Sequence, residues 1–258
     1  MLNVHTLILQ FLQMSVGTII HEMRNRGRLV TTCVRYVATN GMILQMNFET
    51  YKQVTEAFYA LDNKPLAKYP GATKVLSGTQ DMTGLLEWRA RVGDAEADRI
   101  IKESHLIGNS LDKMFNESLS SFDFDPMLYQ DEPGFRLWKQ LEPTIRKIDP
   151  IGVQLKVWSD NLKVMGYLDC FGFLNGIPTI IDCKNSKKEK PQEYLQDYFL
   201  QCTLYATMIY DMTMLKVPQI AVLVARRDSP FPQIEIRKTK DFLPMALNRI
   251  RQYYHPEV

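Results

Sequence analysis

Two aspartates and a lysine within Gly166–Lys184, GYLDCFGFLNGIPTIIDCK, are the residues of this chain best placed to do chemistry together. Asn175-Gly176 stands between two apolar runs, the strongest short-range hairpin signal in a sequence. A two-residue loop pairs Leu174 with Ile177. The same register sets Asp169 opposite Asp182 and Tyr167 opposite Lys184, all on one face of the ribbon. A four-residue loop keeps that register and a three-residue loop breaks it. Carboxylates facing each other across a strand pair, with Cβ atoms about 5 Å apart, repel and destabilise the sheet. A divalent cation held between them is the simplest compensation. Asp182-Cys183-Lys184 also places an acid and an amine side by side on one strand face. This combination suits phosphodiester hydrolysis. Asp169 and Asp182 would hold Mg²⁺ or Mn²⁺, while Lys184 steers the attacking water and stabilises the developing negative charge.

The surrounding periodicities say what must carry these groups. Val153, Leu155 and Val157 alternate with Gln154 and Lys156, which predicts a half-buried strand before the hairpin. Both hairpin faces are largely apolar, with Leu168, Cys170 and Ile181 on one and Phe171, Phe173 and Ile180 on the other. A ribbon of that kind is covered on both sides, as in an α/β sandwich. After a Lys-rich loop, a helix is expected over 192–212, strands near 220–226 and 233–238, and a closing helix over 241–254. Upstream, short helices are expected over 50–60 and 83–92, with a brief strand or turn at 73–76. Gly93-Asp94 offers a boundary and N-cap for a long helix over 95–119. A loop over 122–133 follows, then a short helix over 135–141 that stops before Pro143. Gln201 and Tyr205 lie four apart, one above the other on the 192–212 helix. If that helix packs along the hairpin, Gln201 reaches the nucleophile or Lys184, and Tyr205 a DNA phosphate.

Bulk properties narrow the class. The chain has 258 residues, 45% hydrophobic and 23% charged, with a net charge of +2. That balance argues against non-specific coating of nucleic acid and leaves room for a local basic groove. No run reaches the ~18 apolar residues of a membrane span. The four cysteines, Cys33, Cys170, Cys183 and Cys202, fit neither a zinc site nor a disulfide scaffold. Buried free thiols in a reducing, intracellular compartment are expected, with Cys170 and Cys183 facing away from the aspartates. The first 45 residues carry one acid, Glu22, against Arg24, Arg26, Arg28 and Arg35. Such a composition suits a transit peptide, or a non-native extension upstream of Met46, with an ordered functional segment as a third reading. The expected division is therefore a leader without order of its own over 1–45, a helical part over 46–149 and a core over 150–258.

The order GYLD, IIDCK, then Gln201-x-x-x-Tyr205 resembles the PD-(D/E)xK nucleases of the RecB-like branch. ATKVLSGTQDMTGLLEWRARVG, residues 72–93, resembles the region preceding the core in mitochondrial genome maintenance exonucleases and their phage relatives. GNSLDKMFNE, residues 108–117, sits where those proteins carry a Gly-Thr-x-x-His motif on a helix. The resemblance covers residues 51–254. It implies an α/β restriction-endonuclease-like core, a mixed central sheet flanked by helices, with an N-terminal helical segment. It further implies a Mg²⁺- or Mn²⁺-dependent DNA exonuclease that needs a free end, often prefers single strands, and serves replication, recombination or repair. The location would be cytoplasmic (the host cytoplasm for a phage protein), or alternatively mitochondrial. By the same resemblance Asp169 and Asp182 are metal ligands, Lys184 is the catalytic lysine, and Gln201 and Tyr205 support them.

One position departs from the family. Asp112 stands where the family has its helix histidine, and the nearby acidic position is Asn116 followed by Glu117. Aspartate ligates hard cations and favours Mg²⁺ over softer metals, so Asp112 is expected as a third ligand. The alternative is a drifted site, giving a weak enzyme or a silent DNA-binding module; a structure-specific endonuclease is a further one. His105, on the same helical face, is a poorer substitute. Iron–sulfur relatives carry a cysteine cluster after the Gln-x-x-x-Tyr helix, and nothing here matches it. Lys187 and Lys188 are expected beside backbone phosphates, against a merely solvated loop. Of Trp88, Arg89 and Arg91, the tryptophan is expected in the core and Arg91 on DNA.

Overall fold

Among the described residues, 69–121 and 123–256, this computed structural model forms six α-helices and five strands. The leader, Cys33 and the helix expected over 50–60 lie outside the described residues. In chain order the elements are α1 Ala72–Gly78, α2 Thr83–Val92, α3 Asp94–Ser120, α4 Phe135–Ile145, β1 Ile148–Ser159, β2 Val164–Leu174 and β3 Ile177–Ser186. They continue with α5 Gln192–Thr213, β4 Gln219–Arg226, β5 Gln233–Lys238 and α6 Thr239–Tyr254. The strands form one mixed sheet in the order β1-β2-β3-β4-β5. All neighbours are antiparallel except β3 and β4, which α5 joins as a parallel crossover. The α/β class and flanking helices agree with a restriction-endonuclease-like core.

The hairpin register is the expected one. Asn175 and Gly176 take φ of 53° and 78°, the backbone that a two-residue type I′ turn requires. Pairing runs from Leu174–Ile177 to Cys170–Ile181. Apolar cores cover both faces. On one side α1, α5 and α6 pack on Phe171, Phe173, Ile180 and Val222; on the other α3 and α4 pack on Cys170, Leu174, Ile181, Cys183 and Leu223. Each such side chain contributes roughly 1.5–3 kcal/mol by leaving water, so the register is fixed from both faces at once.

Three local expectations need correction. The 73–76 segment is helical, because Ala72, Val75 and Leu76 fall on one helical face and bury in the first core. Arg249 of α6 closes that helix, donating to Thr79 Oγ1 at 2.5 Å and to the Leu76 carbonyl, and pairs with Asp197 of α5 at 2.9 Å. Helix α4 runs through Pro143 to Ile145, since Leu141 and Ile145 are both buried in the second core and Pro143 forfeits a single bond in the last turn.

The third correction concerns the faces of the ribbon. Val153 packs with the second core but Leu155 and Val157 with the first; on β2, Cys170 lies in the second core but Leu168 in the first. Strict alternation cannot give this. The β1–β2 ladder skips the opposed residues Gln154 and Asp169, and Gln154 takes φ of 53°. A left-handed residue on one strand turns the ribbon over at that point, so Asp169 sits at the change of face. Past it, Gly166 packs flat under α5: a Cβ there would come within 2.5 Å of the Tyr205 ring. Gly166→Ala should therefore destabilise the protein by about 1–3 kcal/mol, read as a lower midpoint in urea unfolding. An unchanged midpoint would show that the helix–ribbon contact is loose.

Candidate metal centre at the strand fork

Strands β2 and β3 part company after Cys170–Ile181. From there β2 stays paired with β1 as far as Val164, while β3 stays paired with β4 as far as Ser186. Asp169 and Asp182 are the first residues beyond the last shared pair, one on each branch. The Asp169 carboxylate replaces the lost ladder, its Oδ2 accepting from the Cys183 N–H at 3.0 Å. Tyr167 does not oppose Lys184, as the uninterrupted ribbon had implied; beyond the fork it opposes Lys156 of β1.

Lys184 closes the cluster. Its Nζ lies 2.7 Å from both Asp182 oxygens and 4.0 Å from Asp169 Oδ2. It also donates to the Cys183 carbonyl at 3.3 Å. Only Oδ1 of Asp182 is aligned to accept a hydrogen bond; Oδ2 is buried and has none. Asp182 is 1% exposed, and burial lifts its carboxyl well above the usual range, the Lys184 charge opposing and the Asp169 charge adding. For Lys184, burial pulls the ammonium down, but the Asp182 and Asp169 charges outweigh it and hold it well above its ordinary value. The Lys184 Nζ lies 5.5 Å from the Tyr198 ring centroid, and Lys190 Nζ lies as far from the same ring. Neither Tyr198 nor the next residue, Asn185, was singled out by the sequence.

Asn185 brings the third carboxylate in. Ser104 Oγ donates to its Oδ1 at 3.3 Å, and its Nδ2 donates to the Ser104 carbonyl at 3.4 Å. A Cβ on Gly108 would stand 2.8 Å from that Nδ2. Gly108 thus lets α3 close onto the end of β3, and Asp112 follows one turn later. Burial, and after it the Asp169 charge, push the Asp112 carboxyl up to about 6 against the pull of Lys184. His105 is exposed on α3.

Helix α5 lies along the other side. Gln201 Nε2 donates to the Tyr205 hydroxyl at 3.1 Å, and both side chains are buried. Burial raises the Tyr205 phenol, the Gln201 hydrogen bond works against that, and the Asp182 and Asp169 charges add to it. Gln201 and Tyr205 therefore face the cluster. At 3% exposure, however, Tyr205 cannot touch a DNA phosphate; it is a correction, arising because helical spacing gives a side chain's direction and not its depth. Lys187, Lys188 and Arg91 are exposed, and the Lys187 charge is felt by Glu96 in the first turn of α3. Trp88 is half-buried on a helix without a buried residue, so it is not core. Cys170 and Cys183 are free, buried and on the second-core side, and Cys202 is buried on the first.

Among the described residues no three His, Cys, Asp or Glu side chains already stand in ligand geometry. The chemistry of the donors nevertheless fits a hard divalent ion. They are carboxylate oxygens, one of them, Asp182 Oδ2, buried and without a hydrogen bond, and their like charges raise one another. Asp169, Asp182 and Asp112 would hold it.

No protein-family model matches the chain, and no curated protein matches it. It is similar to the solved crystal structure of SSO0001, with 13% identity, 84% of this chain and 87% of that one covered, and a TM-score of 0.34. A likeness at that score carries no argument. No helix among the described residues is long and apolar enough to cross a membrane.

Asp112→Asn separates structure from ion binding. It removes a half-buried like charge, so the chelated protein should melt at a higher temperature, while the extra stabilisation given by Mn²⁺ should shrink. Thermal shift with and without Mn²⁺ reads both; an unchanged Mn²⁺ increment would remove Asp112 from the ligand set.

Proposed function

We propose that this chain is a metal-dependent DNA exonuclease of the PD-(D/E)xK type, hydrolysing phosphodiester bonds from a free end, with single strands preferred, in replication, recombination or repair. The observation that supports it most is the convergence of Asp169, Asp182 and Lys184 where two strands separate. Bound Mg²⁺ or Mn²⁺ would supply Lewis acidity toward the scissile phosphate and make a water acidic.

The chain's own groups do the rest. Asp169 and Asp182 fix the ion's place, Asp169 being itself held by the Cys183 N–H. Lys184, kept protonated by the two aspartates, offers a positive charge where negative charge builds on the phosphate during attack. The buried Gln201–Tyr205 pair on α5 would support the cluster from the first-core side. Lys187, Lys188 and Arg91, all exposed, suit backbone phosphates of the strand.

Release of nucleotides from end-labelled linear DNA with Mg²⁺ tests the reading, with Asp182→Ala and Lys184→Ala as controls. Each variant should lower the rate by at least about 10²-fold, and a chelator should abolish it. Full activity in either variant would defeat the mechanism. Equal cleavage of circular single strands would point to an endonuclease instead. Aspartate in place of the family's helix histidine favours a second reading, a silent DNA-binding module, and binding without cleavage at any Mn²⁺ concentration would decide for it.

A further inference from the structure

Beyond the fork the β1–β2 ribbon continues, and among the described residues β2 is met on its other side only by the single parallel bridge from Gly71 to Met165. Tyr167 stands on it, two residues before Asp169, and is 53% exposed. Its neighbours Gly166 and Leu168 are turned toward α5 and the first core, so strand alternation turns Tyr167 to the opposite face. Lys156 opposes it directly on β1, with its ammonium 5.2 Å from the ring centroid. Gln154, exposed and left-handed in backbone, is the next residue on that side of the ribbon toward the fork.

A lone exposed tyrosine needs no explanation. This one has a cation over its ring and lies about 7 Å along the strand from a carboxylate of the cluster, within reach of the nucleotide adjoining a phosphate held there. We propose that Tyr167 and Lys156 form a nucleobase-stacking subsite for single-stranded nucleic acid, receiving the nucleotide next to the scissile phosphate. The inference rests on the nuclease reading and deepens it by naming what selects the substrate. The ring offers a π-face that every base can use, so the subsite tolerates any sequence. The ammonium neutralises the phosphate of the stacked nucleotide. Inside a duplex both faces of a base are covered by its neighbours, so a platform of this kind takes bases of an unpaired strand more readily than those of paired DNA.

A cross-strand Tyr–Lys pair could also serve only to stabilise the ribbon, and the test distinguishes the two roles. Binding of full-length protein to a fluorescent oligo-dT is measured in Ca²⁺, with strand integrity checked on a gel, for wild type, Tyr167→Ala, Tyr167→Trp and Lys156→Ala. Tyr167→Ala should weaken binding about ten- to hundredfold with little change in Tm, and Tyr167→Trp should bind like wild type. Lys156→Ala should lower the salt dependence of log K by about 0.7. An oligonucleotide abasic next to its end should lose affinity for wild type but not for Tyr167→Ala. Wild-type affinity in Tyr167→Ala, loss of binding in Tyr167→Trp equal to that in Tyr167→Ala, or no affinity of wild type for the strand would overturn the proposal. Failure of the nuclease reading shows separately, as end-labelled DNA left intact by wild type in Mg²⁺ while the affinity difference persists.

Discussion

The bond from the Cys183 N–H to the Asp169 carboxylate is the contact on which this site depends. Two antiparallel strands that separate leave backbone donors and acceptors without partners, and such groups are costly unless something replaces the ladder. Here a side chain does so, and in doing so it is fixed in place. The donor that would have been orphaned belongs to the residue between Asp182 and Lys184, so satisfying it ties the carboxylate on one branch to the acid and the amine on the other. Gln154 makes this possible from the far side, because its left-handed backbone turns the ribbon over where Asp169 leaves the ladder.

Around that contact the molecule accumulates charge that the fold alone does not favour. Asp182 is buried, Asp112 is raised to about 6 by burial and by Asp169, and among the described residues Lys184 alone pairs with the group. Buried pairs of this kind are poor stabilisers compared with apolar packing. The two cores supply the stability instead, clamping the sheet with α1, α5 and α6 on one face and α3 and α4 on the other. Arg249 ties α1, α5 and α6 together, and Asn185 ties α3 to β3. Apolar packing above and below the sheet thus holds a charged cluster that does not stabilise itself.

Much of this was legible in the residues. The Asn175-Gly176 turn, the register through Cys170–Ile181, and the order of strands and helices after it follow from turn chemistry and periodicity. Asp169 and Asp182 do not pair in the ladder, as that register implies; they converge one step beyond it, through Lys184 and the Cys183 N–H. What periodicity could not carry is any break in itself. Nothing in the letters around Gln154 announces a left-handed residue, so alternation keeps Leu168 with Cys170 and Leu155 with Val153, where the fold separates both pairs. Depth was equally hidden. The spacing of Gln201 and Tyr205 aimed both at the cluster, but the glycine at 166 that lets the tyrosine sink under the ribbon matters only once the helix is seen to lie there. Gly108 is the same kind of signal for α3, meaningful only with Asn185 beside it. The closeness of Tyr167 to Lys156 comes from the register of β1 against β2, which the Asn175-Gly176 turn does not set.

The central claim is that the strand fork exists to gather carboxylates around one hard cation. Anomalous diffraction from crystals of the wild-type protein soaked in Mn²⁺ tests this most directly. A manganese peak bounded by Asp169 and Asp182, with Asp112 on its third side, is the result expected. Well-ordered crystals with no peak at the fork, or with manganese bound only elsewhere, would contradict it.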